Sequence, residues 1–111
     1  KLGILSNKPD ILAKRTAECY FPKIKFSQIY GAIEGIPKKP DPTLLNSIIK
    51  AWGIKPQKIM LIGDSTVDIQ TAKASGIKSG AVLWGYVSKE TLSANNPDFL
   101  FKQPSDILDV F

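Results

Sequence analysis

A chain of 111 residues, 43% of them hydrophobic and 23% charged, has the length of one domain or less, and no apolar run approaches the length that spans a bilayer. It holds no histidine, which removes Ser–His and Cys–His catalysis and most zinc chemistry, and its single cysteine, Cys19, cannot form an internal disulfide, so a reducing, cytoplasmic setting is expected. The formal net charge of +5 is spread along the sequence without a basic block interleaved with aromatics, which argues against nucleic acid as a partner, as the lack of a long apolar run argues against a membrane.

Lys1 is followed at once by Leu2-Gly3-Ile4-Leu5, so the chain opens inside a strand and reads as a piece of something longer. That strand ends at Ser6-Asn7, and the spacing of Ile11, Leu12, Arg15 and Cys19 predicts a helix from about Pro9 to Tyr20, stopped by Pro22. Phe26 to Ile33 holds a short strand and a loop, and Lys38-Lys39-Pro40-Asp41-Pro42 reads as a rigid extended loop, because each proline restricts the residue before it. Leu44, Leu45, Ile48, Ile49 and Trp52 mark one face of an amphipathic helix ended by Gly53. Lys58 to Ile62 is a strand whose four consecutive apolar residues suggest burial on both faces of a parallel sheet. Val67, Ile69, Ala72 and Ala74 lie on the next helix, stopped by Gly76; Ser79 to Trp84 forms a strand ending in Gly85. A short helical turn over Ser88 to Ala94, a last strand Phe99-Leu100-Phe101, and a helix from Ser105 or Asp106 to Phe111 complete the chain. The alternation of strands and helices predicts an α/β fold with an open parallel sheet and flanking helices, and no repeat or linker marks an interior boundary within 1–111.

The most informative segment is Gly63-Asp64-Ser65-Thr66-Val67-Asp68. Its strand delivers it to the carboxyl edge of the sheet, where open α/β folds place their ligands. Two carboxylates four positions apart, beside a hydroxyl and a glycine turn, suit a hard divalent cation such as Mg2+. Helix capping by Asp64 or Ser65 is the ordinary alternative. Three polar clusters thus follow apolar runs or loops in chain order: Ser6-Asn7, Lys39-Pro40, and Asp64 with Asp68. In a parallel sheet all strands end at one edge, so the clusters can converge.

In order, spacing and strand context these clusters resemble the haloacid dehalogenase superfamily of phosphatases, closest to the phosphoglycolate phosphatase type, over essentially the whole chain. The resemblance implies a core domain in which Ser6 binds phosphate through its hydroxyl, helped by the backbone N–H of Asn7. It implies that Lys39, directly before Pro40, offsets negative charge on the phosphoryl group; Lys38 is the alternative by composition alone. Asp64 would be the direct Mg2+ ligand, and Asp68, one helical turn on, would hold a metal-bound water. The ordinary readings are a capping turn for Ser6, a solvated surface lysine for Lys39, and a first-turn acid favouring the helix dipole for Asp68. Trp84 and Tyr86 are expected to pack in the core or on the surface.

The family attacks phosphate with an aspartate in an Asp-x-Asp-Gly motif at the end of its first strand, and this sequence contains no such motif. The resemblance places that motif, a helical cap and the first central strand upstream of Ser6, so residues 1–111 read as the C-terminal part of the core with that strand missing. A missing N-terminal segment or another chain would complete the sheet, and the chain alone is expected to be inactive on its small phosphorylated metabolite. Two other readings compete. A response-regulator-like binding module predicts an acidic pair after a first strand, which the sequence lacks. A non-catalytic pseudoenzyme acting through protein contacts remains compatible with the chain as given.

Overall fold

The computed structural model describes residues 1–111, which divide into two compact units, Lys1–Gly53 and Ile54–Phe111. The division falls where the sequence shows no linker, directly after the glycine that ends a helix.

In the first unit, strands β1 (Gly3–Pro9) and β2 (Gln28–Ala32) pair in parallel, joined by helix α1 (Asp10–Tyr20), and helix α2 (Thr43–Trp52) closes the unit. Ile4 pairs with Ile29 and Leu5 with Tyr30, but the next pair is Pro9 with Ala32. Ser6-Asn7-Lys8 is therefore a bulge inside a longer strand rather than a turn after a short one. Pro9 flanks the helix instead of opening it, and α1 begins at Asp10. The buried face of α1 is formed by alanines. Ala13 and Ala17, each 4% exposed, are its buried residues, while Ile11, Leu12 and Cys19 are exposed. Small side chains four apart let a helix backbone approach the sheet, and bulk at those positions would hold it off. Helix α2 follows the sequence pattern: Leu44, Leu45 and Ile48 are buried, and Gly53 ends it at φ 61°, where glycine carries no Cβ penalty.

In the second unit, strands β3 (Met60–Gly63), β4 (Lys78–Val82) and β5 (Phe99–Phe101) form a parallel sheet in that order. Helix α3 (Thr66–Ala74) connects β3 to β4, and helix α4 (Lys89–Ala94), capped by the Ser88 hydroxyl, connects β4 to β5. The core gathers Ile69, Ala81 and Leu92, with Leu83 and Val87 packed against it. Strand β4 is central, and its Ser79 to Val82 are all buried. Strand β3 is not buried on both faces as expected: Met60 to Gly63 are half-buried, because β3 pairs with β4 alone and its other edge is open. Strand β1 likewise pairs on one edge only. Residues Pro56–Lys58 form a 3-10 turn before β3, so that strand starts later than predicted, and β4 ends at Val82, short of Trp84. The C-terminal helix is 3-10 over Pro104–Val110, its start bonded by Asp106, with Gln103 as the capping residue.

Candidate active site

The first unit brings two of the predicted segments together. Asn7 sits on the β1 bulge, and its side-chain amide makes a reciprocal pair with the backbone of Lys39: Nδ2–H donates to the Lys39 carbonyl at 3.1 Å, and the Lys39 N–H donates to Oδ1 at 3.1 Å. Residues separated by 32 positions are thus locked side by side. The Ser6 hydroxyl accepts the N–H of Lys8 at 3.1 Å, a bond that uses a lone pair and leaves the proton for donation.

Lys38 to Asp41 is a tight turn around a cis Lys39–Pro40 peptide, closed by the Asp41 N–H donating to the Lys38 carbonyl at 2.9 Å. The extended loop expected there is therefore replaced by a turn. Asp41 accepts the Thr43 N–H at 2.9 Å, and its bonds from Thr43 hold the carboxyl below its usual range. Of the two lysines, Lys38 is exposed and Lys39 half-buried, so the turn separates them by environment.

The base of this bulge has a support that the sequence did not reveal. The Asp10 carboxylate accepts the Gly31 N–H at 2.8 Å and a Lys14 Nζ–H at 2.6 Å; the Lys14 bond first, then that from Gly31, lowers its pKa. Gly31 lies so close that an added Cβ would stand 2.5 Å from both the Asp10 Cα and the Lys8 carbonyl oxygen. Nothing local to Asp10 announces a partner 21 positions on. An open apolar groove of about 300 Å³ in the same unit, lined by Phe21, Pro22, Ile24, Phe26 and Ile29 among others, includes none of the predicted site residues.

In the second unit, Asp64 and Asp68 leave the turn between β3 and α3. Asp64 is exposed and Asp68 is 6% exposed. Ser65 and Asp68 form a capping box: the Ser65 N–H and hydroxyl donate to Asp68 Oδ2 at 3.3 and 2.9 Å. Capping and fixing the carboxylate are here one arrangement. Gly63 lies directly against it, since a Cβ there would fall 2.2 Å from Asp68 Cγ. No group of three or more Asp, Glu, Cys or His side chains comes together in the chain. Two carboxylates with a hydroxyl fit a hard cation that keeps several waters, and they do not fit zinc or a softer metal.

Trp84 and Tyr86 are surface residues, 48% and 104% exposed, on either side of Gly85. Asp98 serves the fold: it accepts the Ser79 N–H at 2.7 Å and the Ser79 hydroxyl at 3.1 Å, tying the approach to β5 to β4.

Comparison with known proteins adds an independent line. A family model described as haloacid dehalogenase-like hydrolase matches residues 1–82. The phosphoglycolate phosphatase of Aquifex aeolicus (strain VF5) is 34% identical over 108 residues, covering 97% of this chain and 49% of that protein. That of Escherichia coli (strain K12) is 34% identical over 107 residues, covering 96% and 42%. The chain therefore spans about half the length of the curated relatives it matches. Among solved structures, a protein from Lactobacillus delbrueckii subsp. bulgaricus superposes with a TM-score of 0.91 at 32% identity, covering 99% of this chain and 46% of its own. A haloacid dehalogenase-like family protein of Streptococcus pneumoniae, at 24% identity and a TM-score of 0.88, shares the fold over 99% of this chain and 51% of its own.

Proposed function

We propose, because this chain belongs to the haloacid dehalogenase-like hydrolase family, that it forms the C-terminal part of the core of a Mg2+-dependent phosphomonoester phosphatase acting on a small phosphorylated metabolite. Phosphoglycolate is the substrate suggested by the curated relatives. The observation that carries the reading is the reciprocal Asn7–Lys39 pair, which holds a lysine beside the hydroxyl-bearing bulge of β1. A hydroxyl, a backbone amide and an ammonium are the donors that an anionic phosphoryl group requires.

Ser6 donates its O–H, and Asn7 its backbone N–H, to phosphoryl oxygens, while Lys39 offsets their charge. Asp64 would hold Mg2+ directly, and Asp68, kept in orientation by Ser65, would hold one of its waters. A cation held by these carboxylates would supply positive charge for phosphoryl chemistry. The nucleophilic aspartate comes from outside residues 1–111, because no Asp-x-Asp occurs among them. A further strand, from an upstream segment or another chain, would pair with a strand edge that the two sheets leave open. The 111 residues alone are therefore inactive. No helix is long and apolar enough to cross a membrane, and the free Cys19 suits a reducing, cytoplasmic compartment.

The test is hydrolysis of a panel of phosphomonoesters by the 111-residue chain and by the product of the full reading frame. Activity is expected only in the longer protein, falling at least about 100-fold in Asp64→Asn. Absence of activity in both, with no Asp-x-Asp upstream, would instead favour a pseudoenzyme acting through protein contacts.

A further inference from the structure

We infer that Gly85 is a positioning residue for the Asp64 carboxylate, an inference that rests on the reading of Asp64 as the Mg2+ ligand. A Cβ built on Gly85 would stand 2.6 Å from Asp64 Cβ, 3.0 Å from Oδ2 and 3.3 Å from Cγ. The three heavy atoms nearest that position all belong to Asp64. The requirement for glycine is thus set by one side chain, the exposed acid at the end of β3.

Two other reasons for glycine fail at this position. Gly85 is not among the residues with positive φ, which are Gly35, Gly53, Gly76 and Asn96, so the backbone there is one that any residue adopts. Its neighbours Trp84 and Tyr86 are exposed, so no core packing demands a small residue between them. What remains is the close approach. The backbone after β4 forms a wall against one side of the Asp64 side chain and limits the directions in which the carboxylate can turn. Gly63 does the same beneath Asp68, with a Cβ position 2.2 Å from its carboxylate. Each acid of the pair rests on a bare stretch of backbone, and one of these supports lies 21 positions further along the chain than the acid it serves. A carboxylate held in place loses less rotamer freedom when it binds a cation, so the wall raises affinity without touching the metal.

The experiment uses the full reading-frame product without substrate and measures Mg2+ binding by calorimetry for wild type, Gly85→Ala and Asp64→Asn, with folding checked by circular dichroism. Expected is a Mg2+ Kd about tenfold weaker in folded Gly85→Ala, with Asp64→Asn weaker still. A folded Gly85→Ala that binds Mg2+ as wild type does overturns the inference while leaving the Asp64 assignment standing. Unchanged binding in Asp64→Asn removes the metal reading and this inference with it. If Gly85→Ala does not fold, the double variant Gly85→Ala, Asp64→Gly decides: it deletes the atoms the new methyl meets, so folding must return. Continued failure to fold shows that the obstruction lies elsewhere and sinks the proposal.

Discussion

Lys39 and Asn7 show how much a single side chain can do by gripping backbone. The Asn7 amide satisfies both the N–H and the carbonyl of Lys39, so the main chain that carries the ammonium is set even though the lysine side chain has many rotamers. Asn7→Ala removes both bonds. Because the pair is exposed, the expected loss of stability is modest, about 1 kcal/mol. The loss in kcat/KM of the full reading-frame product is expected to be about tenfold, since Lys39 is no longer held beside Ser6. Urea unfolding and steady-state kinetics on one preparation measure the two separately. Asp98 carries a second prediction. Its pKa is lowered chiefly by the Ser79 N–H, against opposing burial, with help from the Ser79 hydroxyl and the charges of Lys78 and Lys73. A carboxylate whose pKa is lower folded than unfolded stabilises above the unfolded value, and that contribution disappears as pH falls through the folded one. The midpoint of urea unfolding is therefore expected to fall once pH drops below 3.8, the ordinary value, and Asp98→Asn is expected to flatten that fall.

The elements are held in register by close backbone approaches as much as by apolar bulk. Strand β2 passes the junction of β1 and α1 at Gly31, where a methyl would meet main-chain atoms of Lys8 and Asp10 that cannot swing aside. Gly31→Ala is expected to destabilise the chain by about 3 kcal/mol, the upper range for forced overpacking, as read from urea unfolding. Helix α1 buries Ala13 and Ala17 and leaves Ile11 and Leu12 exposed.

Across the whole molecule the charge is unevenly divided. Residues 1–53 hold nine Lys and Arg against four Asp and Glu, whereas residues 54–111 hold six of each, so the net +5 resides in the unit that carries Ser6 and Lys39. If the proposed phosphate site is correct, this excess of positive charge would draw in an anionic substrate over distances that salt shortens. Raising ionic strength from about 0.01 to 0.5 M is expected to lower kcat/KM several-fold through KM, with kcat nearly constant. A flat salt profile would show that the imbalance has no part in capture.

The amino-acid order alone was enough for the α/β alternation, the α2 face and the αL glycine after it, because these depend on local periodicity and turn chemistry. It was also enough to show that no Asp-x-Asp lies among the 111 residues. Only the folded chain decided that Ser6 sits on a bulge, that β1 and β3 each keep an open edge, that Asn7 clasps Lys39, and that Gly31 and Gly85 are needed for the space their missing Cβ leaves. The clasp and the two glycine approaches join residues 21 to 32 positions apart, governed by the separation of backbones, and a linear pattern carries no measure of that distance.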